Sequence, residues 1–321
     1  MRLLIVIVNY RTASLTVDCL RSLAPEVPSL APGTRVVVTD NASGDGSVER
    51  LAALVRDNGW SEWAELMPLP RNGGFAYANN QAIRPALAAP DPPDYVLLLN
   101  PDTLVRPGAL RALLDFMEAS PRVGIAGSRL EHPDGKAQRS AFRFPGALSE
   151  LEEGLRLSFV SKVLRPFVVA PPPPGRACRV DWVAGASMII RRAVFEAVGL
   201  MDENYFMYYE EVDFCRRAAR AGWPCWYVPA SRIVHLVGQS SGVTDEKKPK
   251  KRQPAYWFAS RRRYFRTHTG VVRTLLADTF FVLGHALYRA TVLARRKPAN
   301  DPAGLLGDFV RYNFLGPPQK A

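Results

Sequence analysis

Cysteine is scarce. The 321 residues hold four, Cys19, Cys178, Cys215 and Cys225, with neither C-x-x-C spacing nor an evident pairing scheme. That excludes a disulfide framework as the basis of the fold. A secretory leader is also lacking: the apolar run at residues 3–8 is short, is followed by no small-residue cleavage site and leads straight into Asn9 and Tyr10, so it reads as a buried strand. The expectation is a protein of the reducing cytoplasm. The apolar stretch at residues 271–294 is interrupted by Arg273, Asp278, His285 and Arg289, which makes it a poor spanning helix. No glycine-rich basic signature follows the first strand, where VNYRTAS stands, and this speaks against a sugar nucleotidyltransferase.

With 47% hydrophobic and 22% charged residues, the chain has an ordinary soluble composition and can bury a full core. Its net charge of +12 is localised: residues 246–297 carry fourteen Lys and Arg against two acids, so the rest is close to neutral. A basic region outside the motif-bearing part argues against a nucleic-acid-binding module.

Up to about residue 129, strand-like and helix-like patterns alternate. LLIVIV precedes a helix at 13–23, RVVVTD a helix at 46–58, a short strand at 65–69 a helix at 75–88, and YVLLLN a helix at 107–119 with Pro107 in its first turn, before VGIAG. Such alternation predicts right-handed βαβ units and an α/β fold with a mostly parallel central sheet. Residues 131–145 read as a polar hairpin, and 165–176, with four consecutive prolines from Pro171, as a surface loop. A strand-like run at 180–191, helices near 193–198 and 209–221, and a strand at 225–228 follow. The expected division is a catalytic domain over 1–240 and a basic helical extension over 241–321.

Four short motifs carry chemistry. Asp40 ends a strand and offers a carboxylate to a base imide or a ribose hydroxyl; alternatively Asp40 or Asp45 caps the next helix. Asn72-Gly73-Gly74 permits close backbone approach to a ligand at a helix N-terminus with free N–H groups, although such turns also occur without one. Asn100-Pro101-Asp102 follows an aliphatic strand, where Asp102 is a ligand for a hard divalent cation or part of a turn. Glu210 and Glu211 open a helix, with Asp213 close behind; one of the three is a candidate general base, or they are acidic decoration of a first turn. His235 follows a strand as a core residue or a ligand.

The ordered set VNY, DNAS, RNGGFAYANN, LNPDT, VDWVAGASMIIRR, FMYYEEVDFCRRAARAGW and His235 resembles family 2 glycosyltransferases of the GT-A fold, in particular the rhamnosyltransferase-like branch of cell-envelope polysaccharide synthesis. The resemblance spans about residues 3–237. It implies that Asp40 and Asn41, with Asn9 and Tyr10, serve the nucleotide, and that Asn72, Gly73, Gly74 and Asn80 belong to the donor site. Asn100 and Asp102 stand at the D-x-D position, with Asp102 and His235 as ligands of Mg²⁺ or Mn²⁺. Trp182, Gly185 and Ala186 match the loop that shapes the sugar and acceptor pocket. Glu211 stands at the base position, with Glu210 and Asp213 as rivals. Asn100 and Glu211 depart from the commoner Asp at each place.

The implied reaction is inverting transfer of a sugar, L-rhamnose from dTDP-rhamnose in the first instance and otherwise a sugar from a UDP or GDP donor, to a lipid-diphosphate-linked or oligosaccharide acceptor. In the C-terminal region, Thr274, Asp278, His285, Arg289 and Arg296 form a polar stripe on an otherwise apolar helix. Such a helix packs on the enzyme or lies in a membrane interface. With the basic charge, and Trp257, Phe258, Tyr264 and Phe265, it leads to the expectation of peripheral docking on the inner face of the cell membrane.

Overall fold

The computed structural model describes residues 2–30, 32–236, 251–296, 298 and 301–316. These fall into two compact units. The first holds the described residues of Met1–Phe142, Pro172–Phe206 and Glu210–Gly242, and the second those of Arg143–Pro171, Met207–Tyr209 and Val243–Ala321. The second unit thus draws on segments upstream of residue 241 as well as downstream.

In the first unit β1 (Leu3–Asn9), β2 (Arg35–Asp40), β3 (Ala64–Pro68) and β4 (Tyr95–Leu99) alternate with α1 (Ala13–Leu23), α2 (Ser47–Asp57) and α3 (Gly74–Ala88). They pair in parallel, in the order β3-β2-β1-β4. All five residues of β4 are buried, as a parallel strand covered on both faces requires. Because β2 and β4 flank β1 on opposite sides, the connections diverge at the carboxyl ends of these strands, where open α/β sheets form their ligand crevice. Asn9 and Asp40 stand side by side there.

The rest of the sheet is mixed. β5 (Thr103–Val105) and α4 (Ala109–Ala119) lead to β6 (Ile125–Glu131), and β7 (Ala141–Phe142) precedes α5 (Ala147–Leu155) and α6 (Ser158–Val163) of the second unit. β8 (Cys178–Val180), β9 (Trp182–Val183) and β10 (Ser187–Arg191) come next, then α7 (Arg192–Val198), α8 (Glu210–Arg220) and β11 (Cys225–His235). The sheet continues β4-β10-β6-β11-β5, with β8 also on β11.

Several local expectations change. The run at 180–191 is three short strands, because the chain turns at 184–187 with the Ser187 N–H donating to the Ala184 carbonyl at 3.3 Å. Pro107 lies outside its helix: Gly108, left-handed at φ 75°, is the N-cap, and the helix starts at Ala109. β11 runs past residue 228 to His235 through a register shift between Val228 and Arg232, a bulge that accommodates Pro229.

In the second unit α5 packs on α9 (Ala255–Ala294), which breaks at Gly270 (φ 79°, ψ 171°), and α10 (Leu305–Val310) lies beyond it. Gly154 and Gly284 let α5 and α9 approach closely; a Cβ on Gly154 would stand 2.7 Å from the Phe281 carbonyl oxygen. The buried Arg261 guanidinium binds Glu150 at 2.8 Å and Asp278 at 2.5 Å. His285 reaches Asp301 at 2.9 Å. Thr274, Asp278 and His285 of the polar stripe are therefore buried, while Val271, Val272, Leu275, Leu276, Leu283, Leu287 and Leu293 are exposed. The helix buries this stripe together with Phe258, Phe265, Ala277 and Phe281 and leaves a second apolar face exposed. The lysines at 247, 248 and 250 lie outside the described residues.

Candidate active site

At the end of β1 the Asn9 amide donates to Asp40 Oδ1 at 2.6 Å, and its carbonyl oxygen accepts from Thr12 at 3.0 Å and Thr16 at 2.9 Å. Asp40 also accepts from the Ser43 hydroxyl at 2.6 Å and the Ser43 N–H at 3.0 Å. A carboxylate offers about four acceptor positions, so Asp40 retains one for a ligand, whereas the fully buried Asn9 orients Asp40. Tyr10 is exposed, with the Arg11 guanidinium 5.3 Å from its ring centre.

Asn41 ties β2 to the glycine turn, donating to Asn72 at 2.9 Å and accepting from the Gly73 N–H at 3.2 Å. The Gly74 N–H donates to Asn72 and the Phe75 N–H to the Phe206 carbonyl, at 3.1 and 2.9 Å. These N–H groups are therefore already engaged, contrary to the expectation that they are free for a ligand. Glycine at 74 answers to packing: its φ is +86°, and a Cβ would stand 1.9 Å from the Phe206 carbonyl oxygen. Gly74→Ala is expected to destabilise the protein by about 2–4 kcal/mol, seen as a lowered midpoint in urea unfolding. Asn80 also has another role than the donor contact expected of it. Buried, it donates to the Met201 carbonyl at 2.8 Å and to Glu203 at 3.0 Å and accepts from the Met201 N–H at 3.2 Å, fixing the loop before α8.

Asn100 is half-buried, and its N–H donates to the Ala186 carbonyl at 3.0 Å. Asp102 is buried, with Oδ1 3.5 Å from His235 Nε2. This pairing arises because β5 runs antiparallel to β11, setting Thr103 opposite His235. Gln138 holds the histidine, donating to its carbonyl oxygen at 2.7 Å, with its own carbonyl oxygen 3.3 Å from Nδ1. Neighbouring ligands on one octahedral cation lie about 3 Å apart, and Mg²⁺ commonly takes only one or two protein ligands beside substrate phosphates. The Asp102–His235 pair fits that arrangement; among the described residues no cluster of three or more metal-ligating side chains exists.

Glu210 and Glu211 occupy the first turn of α8, and each has its Oε2 buried without a hydrogen-bond partner among the described residues. Burial raises the pKa of both. Glu210 lies well above the carboxylate range, through burial and then the neighbouring Glu211 charge. Glu211 is raised by burial, against the backbone N–H groups of Glu211, Gly185 and Val212, which favour its anion. Asp213, the third candidate base, is an ion-pair residue: buried, it meets Arg217 at 2.8 Å and accepts from the Tyr205 hydroxyl at 3.4 Å.

The 184–187 turn links two of these parts. A Cβ on Gly185 would lie 3.8 Å from Glu211 Cβ and 3.4 Å from the Phe75 ring, and the adjacent Ala186 is bonded to Asn100. Trp182 stacks on Phe142 with ring centres 4.1 Å apart. Gln138, Thr12 and Thr16 carry no motif signal; only their contacts identify them.

Carboxylates at or beyond the ends of aliphatic strands, one of them beside an imidazole, and two carboxyls in the first turn of a helix are elements of an α/β group-transfer site. Residues 2–270 match the family described as glycosyltransferase like family 2, and the chain belongs to it. It is 34% identical over 238 residues to the N-acetylglucosaminyl-diphospho-decaprenol L-rhamnosyltransferase of Mycobacterium tuberculosis, covering 69% of this chain and 71% of that one. It is 30% identical over 169 residues to the Escherichia coli rhamnosyltransferase WbbL, covering 51% and 61%. Among solved structures, the mannosyltransferase PcManGT of Pyrobaculum calidifontis, in complex with GDP-Man and Mn²⁺, superposes with a TM-score of 0.56 at 16% identity, covering 97% of this chain and 81% of that one. The fold is GT-A.

Proposed function

We propose that this glycosyltransferase moves L-rhamnose from dTDP-rhamnose, with inversion, to a hydroxyl of a sugar carried on a lipid diphosphate. The observation that carries this reading is the Glu210–Glu211 turn, in which Glu210 is buried and Glu211 half-buried, each with a buried unpaired oxygen among the described residues, and Glu211 lies beside Gly185. Burial favours the neutral form of Glu210, while the backbone N–H groups of Glu211, Gly185 and Val212 favour the Glu211 anion, so Glu211 is assigned as the base that accepts the acceptor hydroxyl proton as that oxygen attacks the anomeric carbon. Asp40 receives the base or ribose, and Asp102 with His235 would hold Mg²⁺ or Mn²⁺. When bound, the cation supplies counter-charge to the leaving diphosphate. Rhamnose and the lipid diphosphate rest on the relatives' activities. Release of nucleoside diphosphate from dTDP-, UDP- and GDP-sugars, with a lipid-diphosphate acceptor and with or without Mg²⁺ or Mn²⁺, tests the reading; turnover with dTDP-rhamnose is expected, and none with any donor refutes it.

Docking on the inner face of the cell membrane belongs to the same proposal. The leucines of α9 point outward, and Arg273, exposed on the same helix, adds positive charge suited to anionic lipid. Leu276→Glu with Leu283→Glu is expected to weaken flotation with anionic vesicles by about tenfold or more. Unchanged flotation would remove the membrane from the proposal.

A further inference from the structure

A second charged cluster lies in the first unit, in a part of the chain whose overall charge is close to neutral. Glu131, at the end of β6, is fully buried. Around its carboxylate stand Arg106 (3.0 Å), Arg129 (3.5 Å) and Arg232 (3.0 Å), whose side chains are 41%, 32% and 50% exposed. One carboxylate neutralises one guanidinium, so two positive charges remain partly open to solvent. Arg106 and Arg129 also donate to the Pro133 and Gly135 carbonyls, at 3.4 and 2.9 Å, which fixes their direction without reducing their charge.

The position of the cluster matters. Gly127, Arg129 and Glu131 alternate along β6 and share one face of the sheet. That face carries the loop beside the carboxyl pair: a Cβ on Gly127 would lie 2.5 Å from Val183, and two residues further on Gly185 meets Glu211. Arg232 is opposite Arg129, and the Arg106 N–H donates to the Arg232 carbonyl at 3.2 Å. Arg232 and His235 are three positions apart on β11, about 10 Å along the strand, with side chains on its opposite faces.

We infer that Arg106, Arg129 and Arg232, steadied by Glu131, bind the diphosphate of the acceptor while its sugar reaches Glu211. This rests on the function proposed above and adds a second phosphate site, separate from Asp102 and His235. Guanidinium forks match phosphate oxygens and hold them with charge-assisted hydrogen bonds.

The test compares two acceptors bearing the same sugar, one on a short-chain prenyl diphosphate and one a neutral alkyl glycoside. Arg232→Gln is expected to raise KM for the diphosphate acceptor by about tenfold or more, leaving KM for the neutral acceptor and the donor unchanged. Because Arg232 also supports Glu131, Arg232→Lys, which keeps the charge beside Glu131 but loses the guanidinium fork, is the second variant and should show a smaller rise in KM with the same selectivity for the diphosphate acceptor. With the unaltered enzyme, added salt should raise KM for the diphosphate acceptor alone. Equal changes on both acceptors, or none, overturn the arginine site and leave the proposed function standing. No transfer to either acceptor by the unaltered enzyme overturns both.

Discussion

Glu211→Gln is expected to lower kcat for sugar transfer by about 10²–10⁴-fold with little change in donor KM. Glutamine keeps the volume beside Gly185 but cannot take a proton. Glu210→Gln should be milder, because burial favours the neutral form of Glu210, which glutamine imitates. The acid limb of the pH profile supplies a second readout. Burial raises the Glu211 pKa, so the fraction able to act as base, and with it kcat, grows as pH rises through that raised value. Stability runs the other way. A folded-state pKa above the unfolded one contributes stability that is fully present below the unfolded pKa and is lost as pH climbs through the folded one. Glu211→Gln should therefore abolish the acid limb and narrow the loss of stability on the alkaline side. Thermal unfolding and initial rates across neutral pH measure both, and an unaltered profile in the variant would assign the base elsewhere.

Asp102→Asn should reduce turnover by about 10²–10³-fold and, unlike the base variant, raise donor KM and abolish stimulation by Mn²⁺ or Mg²⁺. The amide is isosteric and neutral, so the buried turn is kept while the hard anionic ligand is lost. His235→Ala should fall between the unaltered enzyme and Asp102→Asn, since a hard cation binds a carboxylate oxygen more strongly than an imidazole nitrogen. Metal titrations of nucleoside-diphosphate release for both variants decide the matter. Equal metal stimulation of Asp102→Asn and the unaltered enzyme would take the cation away from this pair.

Much of the site was legible as a set of strand ends. Asp40 and Asp102 come after aliphatic runs too uniformly apolar to be anything but buried strands, and a buried parallel strand delivers the residues beyond its carboxyl end to one edge of the sheet. The partners of those residues were not legible. Asn80 and Asp213 share motifs with the other candidate site residues, yet contacts to Met201 and Glu203, and to Arg217 and Tyr205, occupy them. The free N–H groups expected at the start of α3 are consumed by Asn72 and Phe206. The stripe on α9 was legible, but not the side that faces inward, since a helical period is symmetric until a partner such as Glu150 or Asp301 is supplied.

By itself the sequence determined the alternating elements, the family and the order of the motifs, because buried aliphatic runs, glycine turns and helix starts are local properties of consecutive residues. Only the tertiary structure decided that His235 stands at Asp102, that Asp213 is bound to Arg217, and that three arginines gather on Glu131. Each depends on strand pairing or helix packing between residues far apart in the chain, and the free energy of such pairings lies in both partners at once.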